Sequence, residues 1–198
     1  GTGKTTVVTE RIKWLISKDL AKPSEILALT FTEKAAREME ERVDVAMPYG
    51  YTQMWISTFH AFCDRVLRVE AIHVGLTPAY KLMTEAETII FLRNNLFKFN
   101  LSYFRPLGNP TKFLGGMLQH FSRLKDEDIA VEEYLKYATK QKLDKKISKE
   151  EKEKTLELAQ AYKVYEELKV KEGVVDFSDL ITNTLKLFRT RPNILREY

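Results

Sequence analysis

EILALTFTEKAAREMEERV, residues 25–43, changes character once along its length. Its first part, EILALTF at 25–31, is a short apolar run bounded by polar residues, which suits a buried parallel strand. Its second part, EKAAREMEERV at 33–43, is rich in strong helix formers. The flanking sequence repeats the unit. VVTERIKWLIS at 7–17 sets Val8, Ile12, Leu15 and Ile16 at helical spacing, and Pro23 and Ser24 end that helix. MWISTF at 54–59 is the next strand candidate, and HAFCDRVLRVEAI at 60–72 continues from it as a helix. Helix, strand, helix, strand, helix is the alternation of an α/β parallel sheet.

After Gly75 the pattern turns almost wholly helical. Thr84 and Glu87 are spaced as a capping box ahead of IIFLRNNLF, PLGNP at 106–110 is a turn, and FLGGMLQHFSRLK and VEEYLKYATKQ are amphipathic. KKISKEEKEK at 145–154 is a mixed charge run, read as a solvated helix face or a linker. In the segment 156–173, Leu158, Ala161, Tyr165 and Leu168 share one face, with Gly173 as terminator. VVDFSDLI and a last helix, TNTLKLFRT, follow. The expected organisation is a partial α/β core, residues 1–72 and 173–198, interrupted by a mainly α-helical subdomain at 73–172.

The chain has 198 residues, a net charge of +4 and a pI of about 9.0, a balance compatible with a nucleic-acid partner. One cysteine, Cys63, excludes an internal disulfide and fits a reducing, cytoplasmic setting. No apolar run approaches the roughly 20 residues that span a bilayer.

Three short stretches carry chemistry. In Gly1-Thr2-Gly3-Lys4-Thr5 the glycines let successive N–H groups curl toward one phosphate cluster, and the helix that follows adds its positive end. Lys4 would reach the β- and γ-phosphates and the Thr5 hydroxyl would ligate Mg²⁺, with Thr6 next in line. Thr30, Phe31 and Thr32 end the first strand, where an exposed Phe could stack on a base and hydroxyls could meet phosphate oxygens. The competing reading makes Phe31 a core residue. Thr58, Phe59 and His60 repeat the arrangement at the second strand end.

GTGKTTVVTERI, LTFTEKAAREMEERV, STFHAFCDRVLR and VVDFSDLI, in this order and spacing, resemble the UvrD/PcrA/Rep family of superfamily 1 DNA helicases across essentially the whole chain. The resemblance implies an incomplete phosphate-loop, RecA-like core with an inserted helical subdomain. It implies an ATP- and Mg²⁺-dependent motor moving 3′ to 5′ on single-stranded DNA and opening duplex at single/double-strand junctions. It places Gly1, Thr2, Gly3, Lys4, Thr5 and Thr6 at the nucleotide, Lys4 and Thr5 in catalysis, and Thr5 on Mg²⁺. Thr30, Phe31, Thr32, Thr58, Phe59 and His60 fall in the two DNA-contact motifs.

Many relatives carry arginine where this chain has Thr6. Residues 1–198 hold neither the acidic Walker B strand nor the arginine fingers of a second motor domain, so this piece alone is expected not to turn over ATP. Asp176 and Asp179 suit a helix N-cap better than a metal. Two other classes compete with the motor, a non-catalytic nucleic-acid-binding module and an unrelated phosphate-loop protein. The paired Thr-Phe clusters argue against the latter. A helicase subunit of the RecB/AddA helicase-nuclease type shares the motifs, and the compact insertion favours the UvrD/PcrA/Rep branch.

Overall fold

The computed structural model describes residues 3–46, 54–141 and 147–198, and they fall into two compact units, Gly1–Val66 and Leu67–Tyr198. The start of the charge run, residues 145 and 146, lies outside the described residues.

In the first unit, α1 (Lys4–Ser17), β1 (Leu27–Thr30), α2 (Glu33–Ala46) and β2 (Trp55–Thr58) follow the expected alternation. α3 (Phe59–Glu70) continues directly from β2. β1 and β2 pair in parallel, Leu27 with Trp55 through Thr30 with Thr58. The core is Ile12 from α1, Ile26 and Ala28 from the β1 segment, and Met39 and Val43 from α2. Leu15 and Ile16 pack against it, whereas Val8 stays exposed, so three of the four helically spaced apolar residues face inward. Leu27 is also exposed: β1 buries Ala28 more deeply than its neighbours, as on a sheet covered on one side.

The second unit is mainly helical, with α4 (Glu85–Asn94), α5 (Leu114–Asp126), α6 (Val131–Gln141), α7 (Lys149–Glu172), α8 (Phe177–Thr190) and α9 (Pro192–Glu197). The expected capping box opens α4. Thr84 Oγ1 accepts from the Glu87 amide and a Glu87 carboxylate oxygen accepts from the Thr84 amide. Hydrogen bonds from Lys81 and Thr84 hold the Glu87 carboxyl down to about 2. Gly173 ends α7 in the left-handed conformation at φ 63°, which glycine adopts without strain. Ala161, Tyr165 and Leu168 of α7 are buried, and Phe121 of α5 stacks on Tyr162 and Tyr165.

Residues 173–198, grouped with 1–72 on sequence, lie within this second compact unit. Their first strand, β4 (Val174–Val175), pairs in parallel with β3 (Lys81–Leu82). An ionic cluster then fixes the start of α8 against α5 and α7. Lys125 Nζ lies 2.6 Å from Asp179 Oδ1 and 2.8 Å from Asp176 Oδ2. Lys169 Nζ lies 2.6 Å from Asp179 Oδ2 and 2.9 Å from Asp176 Oδ2, which also accepts from the Tyr165 hydroxyl. Both ammoniums are 2.9 Å from Glu166 Oε1, which meets them as charge and makes no aligned hydrogen bond. Lys169 is 2% exposed. Burial alone would lower both ammonium pKa values; the carboxylates of Asp179, Glu166 and Asp176 outweigh it and raise them. Burial opposes the Asp176 charge too, and Lys169 and Lys125 reverse that, holding its carboxyl far below the usual range.

Removing one partner of a buried ion pair strands the other, at a cost of about 3–5 kcal/mol. Lys169→Met is therefore expected to lower unfolding free energy by about that amount, read by denaturant titration. Because the folded pKa of Asp176 is depressed, its contribution is present above the ordinary carboxylate pKa of about 4 and fades as pH falls below it. Stability measured from pH 7 to 3 should drop more steeply in the wild type than in Asp176→Asn.

Candidate nucleotide and nucleic-acid sites

Both sites predicted from the sequence belong to the first unit, where glycine and threonine geometry shapes the helix starts. Gly3 stands at the N-cap of α1 with φ 69° and ψ −2°, a left-handed conformation that a side chain would strain. The Val7 amide donates to the Gly3 carbonyl at 3.1 Å and starts the helix. No side chain caps α1 and its first turn has no acidic residue, so its amide end keeps its positive character for an anion. Thr5 is half-buried, and its carbonyl accepts from the Thr9 hydroxyl at 2.9 Å. Thr6 is exposed, and its hydroxyl accepts from Arg42 Nη1 of α2 at 3.3 Å. Gly1, Thr2 and the Lys4 side chain lie outside the described residues.

The parallel register sets Thr30 beside Thr58, so the next residues, Phe31 and Phe59, leave adjacent strand ends. Phe31 is 90% exposed and Phe59 49% exposed. A ring that exposed packs into no core among the described residues. The hydroxyls, in contrast, are committed. Thr32 Oγ1 accepts from the Ala35 amide at 3.2 Å and caps α2, while its carbonyl accepts from the Thr30 hydroxyl at 3.1 Å. Thr58 is 5% exposed; its hydroxyl accepts from the Ala61 amide at 3.2 Å and donates to Glu33 Oε1 at 2.9 Å. His60 lies half-buried in the first turn of α3.

Over residues 1–198 the chain matches the family described as the UvrD/REP helicase N-terminal domain. The chain belongs to that family. It is 35% identical to the ATP-dependent DNA helicase PcrA of Bacillus subtilis (strain 168), aligned over all of this chain and 24% of that protein. It is 31% identical to a probable DNA helicase II homolog of Mycoplasma capricolum, covering 26% of it. It is 30% identical to the ATP-dependent DNA helicase PcrA of Staphylococcus aureus (strain Mu50 / ATCC 700699), covering 25%. The chain thus spans about a quarter of the length of these relatives.

Within this UvrD/REP N-terminal domain, Asp176 and Asp179 act as the N-cap reading expects. Asp176 Oδ1 accepts from the Asp179 amide at 3.0 Å and Asp179 Oδ2 from the Asp176 amide at 2.8 Å, a reciprocal box that opens α8. With Glu166 they place three carboxylate oxygens within 4.8 Å, a spacing a cation could use, but the ammoniums of Lys125 and Lys169 already hold that position. No helix among the described residues is long and apolar enough to cross a membrane.

Sequence reading missed two residues here. Glu33 ties the two strand ends together through Thr58, and an acid directly after the Thr32 cap was the available signal. Arg42 reaches α1 across 36 residues of sequence, and no local pattern announces that. Phe31→Ala should leave unfolding free energy within about 0.5 kcal/mol of wild type. Thr58→Ala, which removes a cap and a buried bond, should cost about 1–2 kcal/mol, with Thr58→Ser recovering most of it. Thermal unfolding of the three variants checks both statements.

Proposed function

We propose that residues 1–198 form the nucleotide-binding portion of the first, RecA-like motor domain of an ATP-dependent 3′–5′ DNA helicase. In that reading the motor translocates on single-stranded DNA, opens duplex at single/double-strand junctions and works in the cytoplasm. Residues 1–72 and 173–198 belong to the motor core, completed by strands from the rest of the protein, and 73–172 form the helical insertion. The observation that carries the reading is two exposed phenylalanines at paired parallel strand ends, in the same compact unit as a glycine-opened, uncapped helix N-terminus.

Gly1, Thr2, Gly3 and Thr6 line the phosphate loop and Lys4 takes the β- and γ-phosphates. The donor set fits a triphosphate: backbone amides at a positive helix end, a lysine and two hydroxyls. Thr5 supplies one oxygen to Mg²⁺, which neutralises developing phosphate charge when bound. Phe31 and Phe59 stack bases, flanked by Thr30, Thr32, Thr58 and His60. Because Thr32 and Thr58 spend their hydroxyls on caps, they hold the rings and the helix amides in place. Phosphoryl transfer also needs a water-positioning carboxylate and charge clamps. Those come from the remainder of the protein, and residues 1–198 alone bind nucleotide without turning it over.

The full-length protein is expected to show ATPase activity stimulated by single-stranded DNA and abolished by Lys4→Ala. Activity that survives this change removes the motor assignment and leaves the binding module. Phe31→Ala should weaken single-strand affinity by about 5- to 150-fold, the equivalent of one stacked base, with nucleotide affinity unchanged. Unwinding of 3′-tailed but not 5′-tailed duplex would establish the polarity.

A further inference from the structure

We propose that Arg42 is a second cation of the nucleotide site, supplied from α2 to the phosphate chain of a nucleoside triphosphate held at the start of α1. The inference rests on the phosphate-loop reading of that helix start. Arg42 Nη1 meets Thr6 Oγ1 at 3.3 Å. Thr6 is the third residue of α1, directly after Lys4 and Thr5, so the guanidinium lies on the turn whose amides point to the ligand. A neutral hydroxyl at that distance is a long, weak partner for a guanidinium, and Arg42 is exposed, so an anionic acceptor can take its place. Among the described residues no carboxylate forms an ion pair with Arg42, and the first turn of α1 carries no acid that could compete. A planar, permanently charged fork is the donor best matched to phosphate oxygens.

The position of Arg42 on α2 adds a second consequence. α2 buries Ala36, Met39 and Val43, which fixes its rotation and turns Arg42 outward beside α1. Glu33, at the other end, is tied to Thr58 beneath the exposed rings. From Glu33 to Arg42 is nine residues along one helix, about 13.5 Å at 1.5 Å per residue. One rigid element therefore carries the strand-end contact at its start and the nucleotide contact near its finish. Nucleotide that draws Arg42 toward its phosphates pulls on the helix that seats Phe31.

The test uses the full-length protein, fluorescent ATP and ADP analogues, and a single-stranded oligonucleotide. Arg42→Ala and Arg42→Gln are expected to bind the ATP analogue about tenfold or more weakly, as the loss of one charged hydrogen bond implies. Arg42→Lys should recover part of the loss. Oligonucleotide affinity without nucleotide should not change, while stimulation of ATPase by the oligonucleotide should fall. Gln keeps an amide donor but carries no charge, so an Arg42→Gln protein with wild-type nucleotide affinity would reduce Arg42 to a surface tie and overturn the proposal. Lys4→Ala keeps the two failures apart. If Lys4→Ala loses nucleotide and the Arg42 variants do not, the site stands and the Arg42 role falls. If Lys4→Ala also binds normally, the phosphate-loop reading itself fails and the Arg42 role falls with it.

Discussion

The parallel pairing of β1 with β2, Thr30 opposite Thr58, is the constraint on which the candidate strand-end site depends. Parallel strands point the same way, so both deliver their next residues to one edge. A slip in register would part Thr30 from Thr58 and so move the two rings off adjacent strand ends. The register is held by more than the ladder. The Thr58–Glu33 bond joins the end of β2 to the start of α2, and Ile26, Ala28, Met39 and Val43 pack the strand-helix interior. The placement of the two exposed rings at this edge therefore follows from a few apolar contacts and one side-chain bond between two helix starts.

The second unit solves a different problem. Helix α8 must start beside α5 and α7, and the side chains placed there are charged. Two ammoniums and three carboxylates leave one net negative charge among buried groups. Such a cluster is tolerable only because each charge is paired and the Asp176 and Asp179 carboxylates also cap the helix. Asp176 accepts from Lys125, Lys169 and Tyr165 with one oxygen and from a backbone amide with the other. Apolar residues could fill the same volume; the charged set instead ties the start of α8 to named partners on α5 and α7.

What was legible in the sequence divides along range of interaction. The strand at 25–31, the helix after it, the Thr84–Glu87 box and the Gly173 terminator are local signals, and each was readable. Ser148 and Glu151 form the same kind of box at the start of α7, but the surrounding lysines and glutamates masked it as a generic charge run. The family was legible because its motifs are contiguous. The packing of residues 173–198 within the second unit was not, since it depends on Lys125, 51 residues from Asp176. The hydroxyl assignments were only half legible. Threonine at a strand end is compatible with phosphate binding or with capping, and only the geometry of Ala35 and Ala61 decides for capping.

Committing those hydroxyls to the helices changes the character of the strand edge. What remains exposed is aromatic surface, which does not read base identity. Stacking is tolerant of sequence because every base has a π-face. The two helix starts are also unequal. α2 begins with Glu33, whose carboxylate disfavours a neighbouring anion, whereas the first turn of α3 carries no acid. An anionic backbone is therefore better accommodated over α3 than over α2, while Phe31, the more exposed ring, stands on the α2 side. On the proposed reading, an edge with an anion-tolerant side and a stacking side would hold a nucleic-acid strand in one orientation without any sequence preference.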